Sequence, residues 1–180
     1  MTSELERGII RPTGPGDVTQ WQGILQPSGD PSPNNWDCVN DEAVDPANPA
    51  ALVLSEFGSP VGLTDLYNVS AHISAGARIA SISVSILALS FAFGGPAPEG
   101  EIALIMRASG SEFVGRTVQL PGTPLLVTER FEGEFQPRGD PDWLQIGIRK
   151  MGQDTTMFVL QVYGLIQYDH PRKRAMPGGR

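Results

Sequence analysis

The clearest pattern of apolar and polar positions lies in residues 78–93. Ile82, Val84 and Ile86 alternate with Ser81, Ser83 and Ser85, the period-two signature of a strand with one buried face. From Leu87 the apolar positions move to the odd residues, through Leu89, Phe91 and Phe93. A change of parity inside one strand predicts a bulge, or an end buried on both faces. Gly94-Gly95-Pro96 through Gly100 reads as a turn. Residues 101–107, with Ile102, Leu104 and Met106 on one side, then read as the second strand of a hairpin.

Further strands are predicted over residues 112–120, 125–135, 143–150 and 156–168. Pro121-Gly122, residues 137–141 and residues 152–154 separate them. In the last strand Phe158, Leu160, Val162, Ile166 and Tyr168 share one parity, which assigns them to one face. Residues 50–170 carry no amphipathic helical stripe. An antiparallel meander of this length must fold over to hide its apolar face. The expected fold is therefore all-β, an antiparallel β-sandwich of jelly-roll type, with a closed barrel as the alternative.

Residues 17–25, with Val18, Trp21, Ile24 and Leu25, predict a short strand laid across a larger one. Residues 1–16 are rich in Gly and Pro, and residues 26–49 contain Pro27, Pro31, Pro33, Pro46 and Pro49, which block regular ladders. The expected organisation is an N-terminal arm over 1–16, a sandwich domain over 17–170 with a long loop at 26–49, and a basic C-terminal tail over 171–180.

Composition supports one domain. The chain has 180 residues, 40% of them hydrophobic and 18% charged, with 21 Gly and 16 Pro. That is enough apolar content for a core and enough turn-formers for many short strands. The single cysteine, Cys38, leaves no partner for an internal disulfide and is expected as a buried filler. Residues 1–16 lack the apolar stretch of a secretory leader, and the apolar run at 79–93 is too short and too interrupted by serine to span a membrane. A net charge of -7 argues against nucleic acid as a partner. The charge is uneven, however, because Arg172, Lys173, Arg174 and Arg180 gather at the end against Asp169.

Candidate chemistry is sparse. His72 and His170 stand far apart, with no evident nucleophile or orienting partner, so no catalytic residues are assigned. Asp37, Asp41, Glu42 and Asp45 offer oxygen ligands to calcium, but their spacing fits no calcium loop and reads better as Asx turns. No metal or cofactor is expected. Arg138-Gly139-Asp140 matches a short recognition motif that a tight turn explains, and Asn68-Val69-Ser70 is a glycosylation sequon only in a secreted eukaryotic protein, whereas no leader is expected here. Trp21, Trp36, Trp143, Tyr67, Tyr163 and Tyr168 are the rings on which a sugar could stack if any faces solvent. Trp143 begins an alternating strand and Tyr163 lies on the face opposite Val162, so at least one of these two is expected to face outward, although burial is the commoner fate of a tryptophan.

Several short runs carry a resemblance. They begin with Arg11-Pro12, Asp17-Val18, Trp21, Asn35-Trp36, Val39-Asn40-Asp41-Glu42, Val53-Leu54-Ser55 and Asp65-Leu66-Tyr67. Downstream are Ala75 to Ile79, Ile105-Met106-Arg107, Trp143-Leu144 with Gly147, and a closing strand ending in Tyr168. In this order they resemble a loosely defined group of phage-encoded β-sandwich structural proteins. The resemblance spans nearly the whole chain, but it consists of packing and turn residues. It implies a non-enzymatic virion component, foremost a capsid decoration (cement) protein that binds the outside of a phage capsid and stabilises it. The alternative is a carbohydrate-binding module of a tail or baseplate that contacts the host surface. The partners implied are the major capsid protein and further copies of the chain, a trimer being favoured. Such a protein is made in the host cytoplasm and resides on the capsid exterior. The partner-binding candidates are Ile9, Ile10 and Arg11 in the arm, Trp21 and Trp36, and Arg172, Lys173 and Arg174 in the tail.

Overall fold

In the computed structural model, the serine-alternating segment is a central strand of the larger of two sheets. The structure describes residues 6–25, 28–41, 44–47, 49–56, 58–69, 77–91, 99–135, 143–152 and 155–169. In chain order the strands are β1 (Glu6–Ile10), β2 (Pro12–Thr19), β3 (Gln22–Leu25), β4 (Pro31–Ser32), β5 (Ala51–Ser55) and β6 (Thr64–Val69). They continue with β7 (Arg78–Phe91), β8 (Gly100–Ala108), β9 (Ser111–Leu120), β10 (Leu125–Phe135), β11 (Leu144–Lys150) and β12 (Thr156–Asp169). A one-turn 3-10 helix, Asn35–Cys38, lies between β4 and β5.

The seven-stranded sheet runs β10-β7-β12-β5-β3-β4, and β1 also pairs with β12, beyond the end of β5. The five-stranded sheet runs β2-β6-β11-β8-β9. All the ladders are antiparallel. The two sheets close on one main core that includes Val84 and Ile86 of β7, Leu104 and Met106 of β8, Ile146 and Ile148 of β11, and Val159 and Val162 of β12. Each fully buried aliphatic side chain of this kind contributes about 1.5–3 kcal/mol over exposure. The two-sheet antiparallel sandwich is the expected fold class.

Three expectations are corrected. Residues 6–16 are not an arm: β1 pairs with β12 in one sheet and β2 pairs with β6 in the other, with Arg11 bridging them. Pro12 is buried at the start of β2, and the pairing of β2 with β6 shifts register around its glycines and prolines, so the irregular composition is absorbed by an edge strand. Second, β7 and β8 are not a hairpin. β7 pairs with β10 and β12, whereas β8 pairs with β9 and β11, so the chain crosses from one sheet to the other after Phe91. Third, β12 does not keep one parity. A bulge between Val159 and Gln161 sends Phe158 and Leu160 to the outer side, while Val162 and Ile166 remain in the core.

That bulge also explains the parity change in β7. The even residues Ile82, Val84, Ile86 and Ala88 face the core without interruption. Leu87 and Leu89 belong to a second apolar cluster, formed by Ile24, Leu52 and Leu160 with Val44, Leu54 and Phe158. The end of β7 is therefore covered on both faces.

A buried polar knot ties the irregular 28–41 stretch to the sandwich. Asp65 of β6 is fully buried. Its carboxylate accepts hydrogen bonds from the Asn35 amide (2.9 Å), the Tyr67 hydroxyl (2.8 Å) and the Gln20 backbone N–H (3.0 Å). The Asn35 amide also donates to the Trp21 carbonyl at 2.6 Å. Burial pushes the Asp65 pKa up to about 6, against the opposing pull of these hydrogen bonds. Cys38, at the end of the 3-10 helix, is buried beside this knot, and burial raises its thiol pKa. Among the described residues, no helix is long and apolar enough to cross a membrane.

Candidate binding face

The outer face of the seven-stranded sheet divides into two halves. Over β3, β5 and the first part of β12, Val39, Asp41 and Val44 lie against the sheet. The Val39 carbonyl accepts from Val162 N–H at 2.8 Å, the Asp41 carbonyl accepts from the Gln161 amide at 2.6 Å, and Val44 packs on the second apolar cluster. Phe91 and Phe158 stack here with ring centroids 5.1 Å apart.

Over β10, the first part of β7, the rest of β12 and β1, the face is open. The registers set its side chains in rows across the strands. One row is Leu126, Leu87 and Gln161, and the next is Thr128, Ser85 and Tyr163, with Arg11 beside the ring. Arg130, Ser83, Leu165 and Ile9 form a third row, and Glu132, Ser81, Gln167 and Arg7 a fourth. Leu126 is 55% exposed and Ile9 67%, far more than a half-buried aliphatic on a covered strand. Arg7, Thr128, Arg130 and Glu132 are exposed as well.

Hydrogen bonds hold the polar part of this surface in place. Ser85 and Thr128 share one at 2.8 Å. The Ser81 hydroxyl donates to Gln167 Oε1 at 3.0 Å, and Arg130 donates to the same oxygen at 3.3 Å, so the Gln167 amide is fixed. Arg11 donates to the Asp41 carbonyl at 3.0 Å, and its guanidinium carbon lies 6.0 Å from the centroid of the Tyr163 ring. The result is a surface of one ring, two amides, hydroxyls and guanidinium groups, interspersed with aliphatic side chains. Planar amides and guanidinium groups bind paired oxygens, and a ring edged by them takes the C–H face of a sugar.

The residues expected to bind a partner divide sharply. Ile9 and Arg11 lie on the open face. Ile10 points the other way and is buried against Gly164, so it is a core residue rather than a contact residue. Trp21 is also buried, its indole N–H donating to the Leu63 carbonyl at 3.1 Å, and Trp143 is buried with it in the main core. Trp36 is half-buried against that core. Tyr67 is buried on Asp65 and Tyr168 packs half-buried against the main core, which leaves Tyr163, of the six candidate rings, on the open face. Arg172, Lys173 and Arg174 lie outside the described residues, as do His72, His170 and Arg138-Gly139-Asp140.

Of the acidic cluster, Asp45 accepts the Ala47 N–H at 3.0 Å, an Asx turn, and Asn40 approaches Asp37 at 3.5 Å. Among the described residues, no three metal-binding side chains converge. Missing from the sequence reading were Arg7, Thr128, Arg130 and Gln167. Their signal is the polar parity of β7 and β12, but naming β1 and β10 as the flanking strands needs the sheet order.

No protein-family model and no curated protein matches the chain. Among solved structures it is similar to the N-terminal cellulose-binding domain of β-1,4-glucanase C from Cellulomonas fimi, at 17% identity over 85% of this chain and 88% of that one, with a TM-score of 0.42. It is similar to the CBM22-1 xylan-binding domain of Paenibacillus barcinonensis Xyn10C, at 7% identity over 92% and 97%, with a TM-score of 0.47. A third is the xylan-binding module CBM15, at 10% identity over 92% and 97%, with a TM-score of 0.42. These likenesses are remote, and the sandwich and its open face stand on their own strand registers and side-chain contacts.

Proposed function

We propose that the chain is a non-catalytic carbohydrate-binding module that works through the open half of the seven-stranded sheet, displayed on a phage particle where it meets the host surface. The observation that supports carbohydrate binding is the surface itself, and the placement on a phage particle follows from the sequence resemblance alone. The Tyr163 ring, edged by Arg11, stands in one sheet face with Gln161, Gln167, Ser83, Thr128 and Arg130. A polyhydroxyl ligand needs donors and acceptors at several points and a flat apolar patch between them. The test is a glycan array followed by titration of the best ligand. Tyr163→Ala is expected to weaken binding about tenfold, the order of one lost ring contact with its hydrogen-bonded surround. Unchanged affinity in that variant would remove this face from the function.

A capsid decoration protein is the second reading, favoured by the exposure of Ile9 and Leu126, since aliphatic side chains on an open face suit a protein partner. In that case the occupant is the major capsid protein, and copies of this chain assemble symmetrically around it. Co-sedimentation with expanded, empty capsids separates the two. Ile9→Glu with Leu126→Glu abolishes it if the face docks on a shell, whereas glycan binding through Tyr163 leaves capsid association absent in the unaltered protein too.

A further inference from the structure

We propose that the open face selects acidic polysaccharides, chains bearing carboxylate or sulfate groups, over neutral ones. This rests on the carbohydrate reading of that same face.

The chain carries a net charge of -7, yet Arg7, Arg11 and Arg130 stand on this surface with Glu132 as the one carboxylate in their rows. Arg107 and Arg149 are engaged differently from these: both bind Glu112 on the other sheet, at 2.9 and 2.8 Å, and are mostly covered. Arg130 meets Glu132 at 3.3 Å, but their side chains are 52% and 75% exposed. A pair so open to water holds its partners weakly, and a ligand anion can replace Glu132 at little cost. Arg11 is held by a backbone carbonyl, so its charge is oriented without being neutralised by a carboxylate. Arg7 is exposed one row beyond Ile9.

Spacing favours a polymer. β12 and β7 lie between the strands of Arg7 and Arg130, and three steps of about 4.8 Å across the strands with one row of about 7 Å along them set their Cα atoms roughly 16 Å apart. A lone phosphate or sulfate fits one guanidinium group and cannot engage both without drawing the two side chains together. An extended chain crossing the strands can, placing anionic groups at each end and its sugar rings over Leu165, Ser83 and Tyr163. Guanidinium groups suit this because their planar forks match carboxylate and sulfate oxygens in pairs.

The test uses the full chain with heparin and polygalacturonate as acidic polymers, xylan and a soluble β-glucan as neutral ones, and a single-stranded oligonucleotide as a polyanion without sugar-ring selectivity. The acidic polymers are expected to bind at least tenfold more tightly than the neutral ones, and to weaken as salt rises. Arg7→Gln with Arg130→Gln is expected to cost tenfold or more for the acidic polymers and little for the neutral ones. Arg7→Lys with Arg130→Lys should restore part of the loss, and its melting midpoint serves as the check that the surface still folds. Neutral polymers bound as tightly, and indifferent to the arginine changes, would overturn the selectivity while leaving the carbohydrate reading intact. Equal binding of the oligonucleotide would overturn it as charge alone. Failure of every polysaccharide would overturn both.

Discussion

The two outer faces of the sandwich use arginine in opposite ways. On the five-stranded sheet, Arg107 joins Asp17 of β2 (3.0 Å) to Glu112 of β9 (2.9 Å), and Arg149 of β11 joins the same Glu112 (2.8 Å) to the Thr64 hydroxyl of β6 (3.0 Å). These charges tie four of its strands to β9, over a layer in which Leu66 and Ile105 are already buried. On the seven-stranded sheet the arginines face solvent beside exposed aliphatics. Charges that are spent in mutual contact stiffen a fold, and charges left open are available to a ligand. The closed face is therefore expected to answer to substitution in stability, and the open face in binding.

The largest effect is expected at Gly147 on the closed face. A Cβ there would meet the Asp65 carbonyl, an atom of the paired strand β6 that cannot move aside without breaking the ladder. Gly147→Ala is expected to lose about 4 kcal/mol in denaturant unfolding, since the strain falls on backbone. A loss within experimental error would mean that β6 and β11 are further apart than described.

Next is the pH profile, where the interior and the closed face pull in opposite directions. Asp65 has a folded pKa of about 6, above its unfolded value, so its contribution is fully present below about pH 4 and declines as pH rises to about 6. At one pKa unit per about 1.4 kcal/mol, the decline amounts to roughly 3 kcal/mol. Glu112 behaves the other way. Burial alone would raise its pKa, but hydrogen bonds from Arg149 and Arg107 outweigh this and hold it below the usual value. Its contribution is present above the unfolded carboxylate pKa and lost as pH falls through the folded one. Stability is thus expected to pass through a maximum in mildly acidic solution, followed by thermal melts across pH. Asp65→Asn should remove the falling limb and leave the acid limb.

Glu112→Gln should cost about 1–2 kcal/mol at neutral pH, because it leaves two partly buried guanidinium groups with weaker acceptors, and the cost should shrink in strong acid. The smallest effect belongs to the open face. Ile9→Ser is expected to change stability by less than about 0.5 kcal/mol, as suits a side chain 67% exposed. A large loss there would show that the two faces differ less than their contacts indicate.

Much of the fold was legible in local pattern. Strands predicted over 78–93, 112–120, 125–135, 143–150 and 156–168 match β7, β9, β10, β11 and β12 within a few residues at their ends, because runs of strand-forming residues are set off there by Gly and Pro turns. Those at 6–19 were not legible, since Gly8, Pro12, Gly14, Pro15 and Gly16 break the pattern and their strand character comes from pairing with β12 and β6. The candidate site was half legible. Tyr163 was marked by its parity, but Trp143 was marked by the same reasoning and is core, as are Trp21 and Ile10, which carried the apolar signal of contact residues.

The sequence by itself determined that the chain is all-β and that β7 has a serine face and an aliphatic face, because period-two alternation acts within one strand. Only the tertiary structure decided which strands stand beside which, and so that Arg7, Arg11 and Arg130 share one surface while Arg107 and Arg149 neutralise Glu112 on the other. Strand order is set by burying the two aliphatic faces against each other, which depends on contacts between residues as distant as Ser81 and Gln167. No local pattern carries that information.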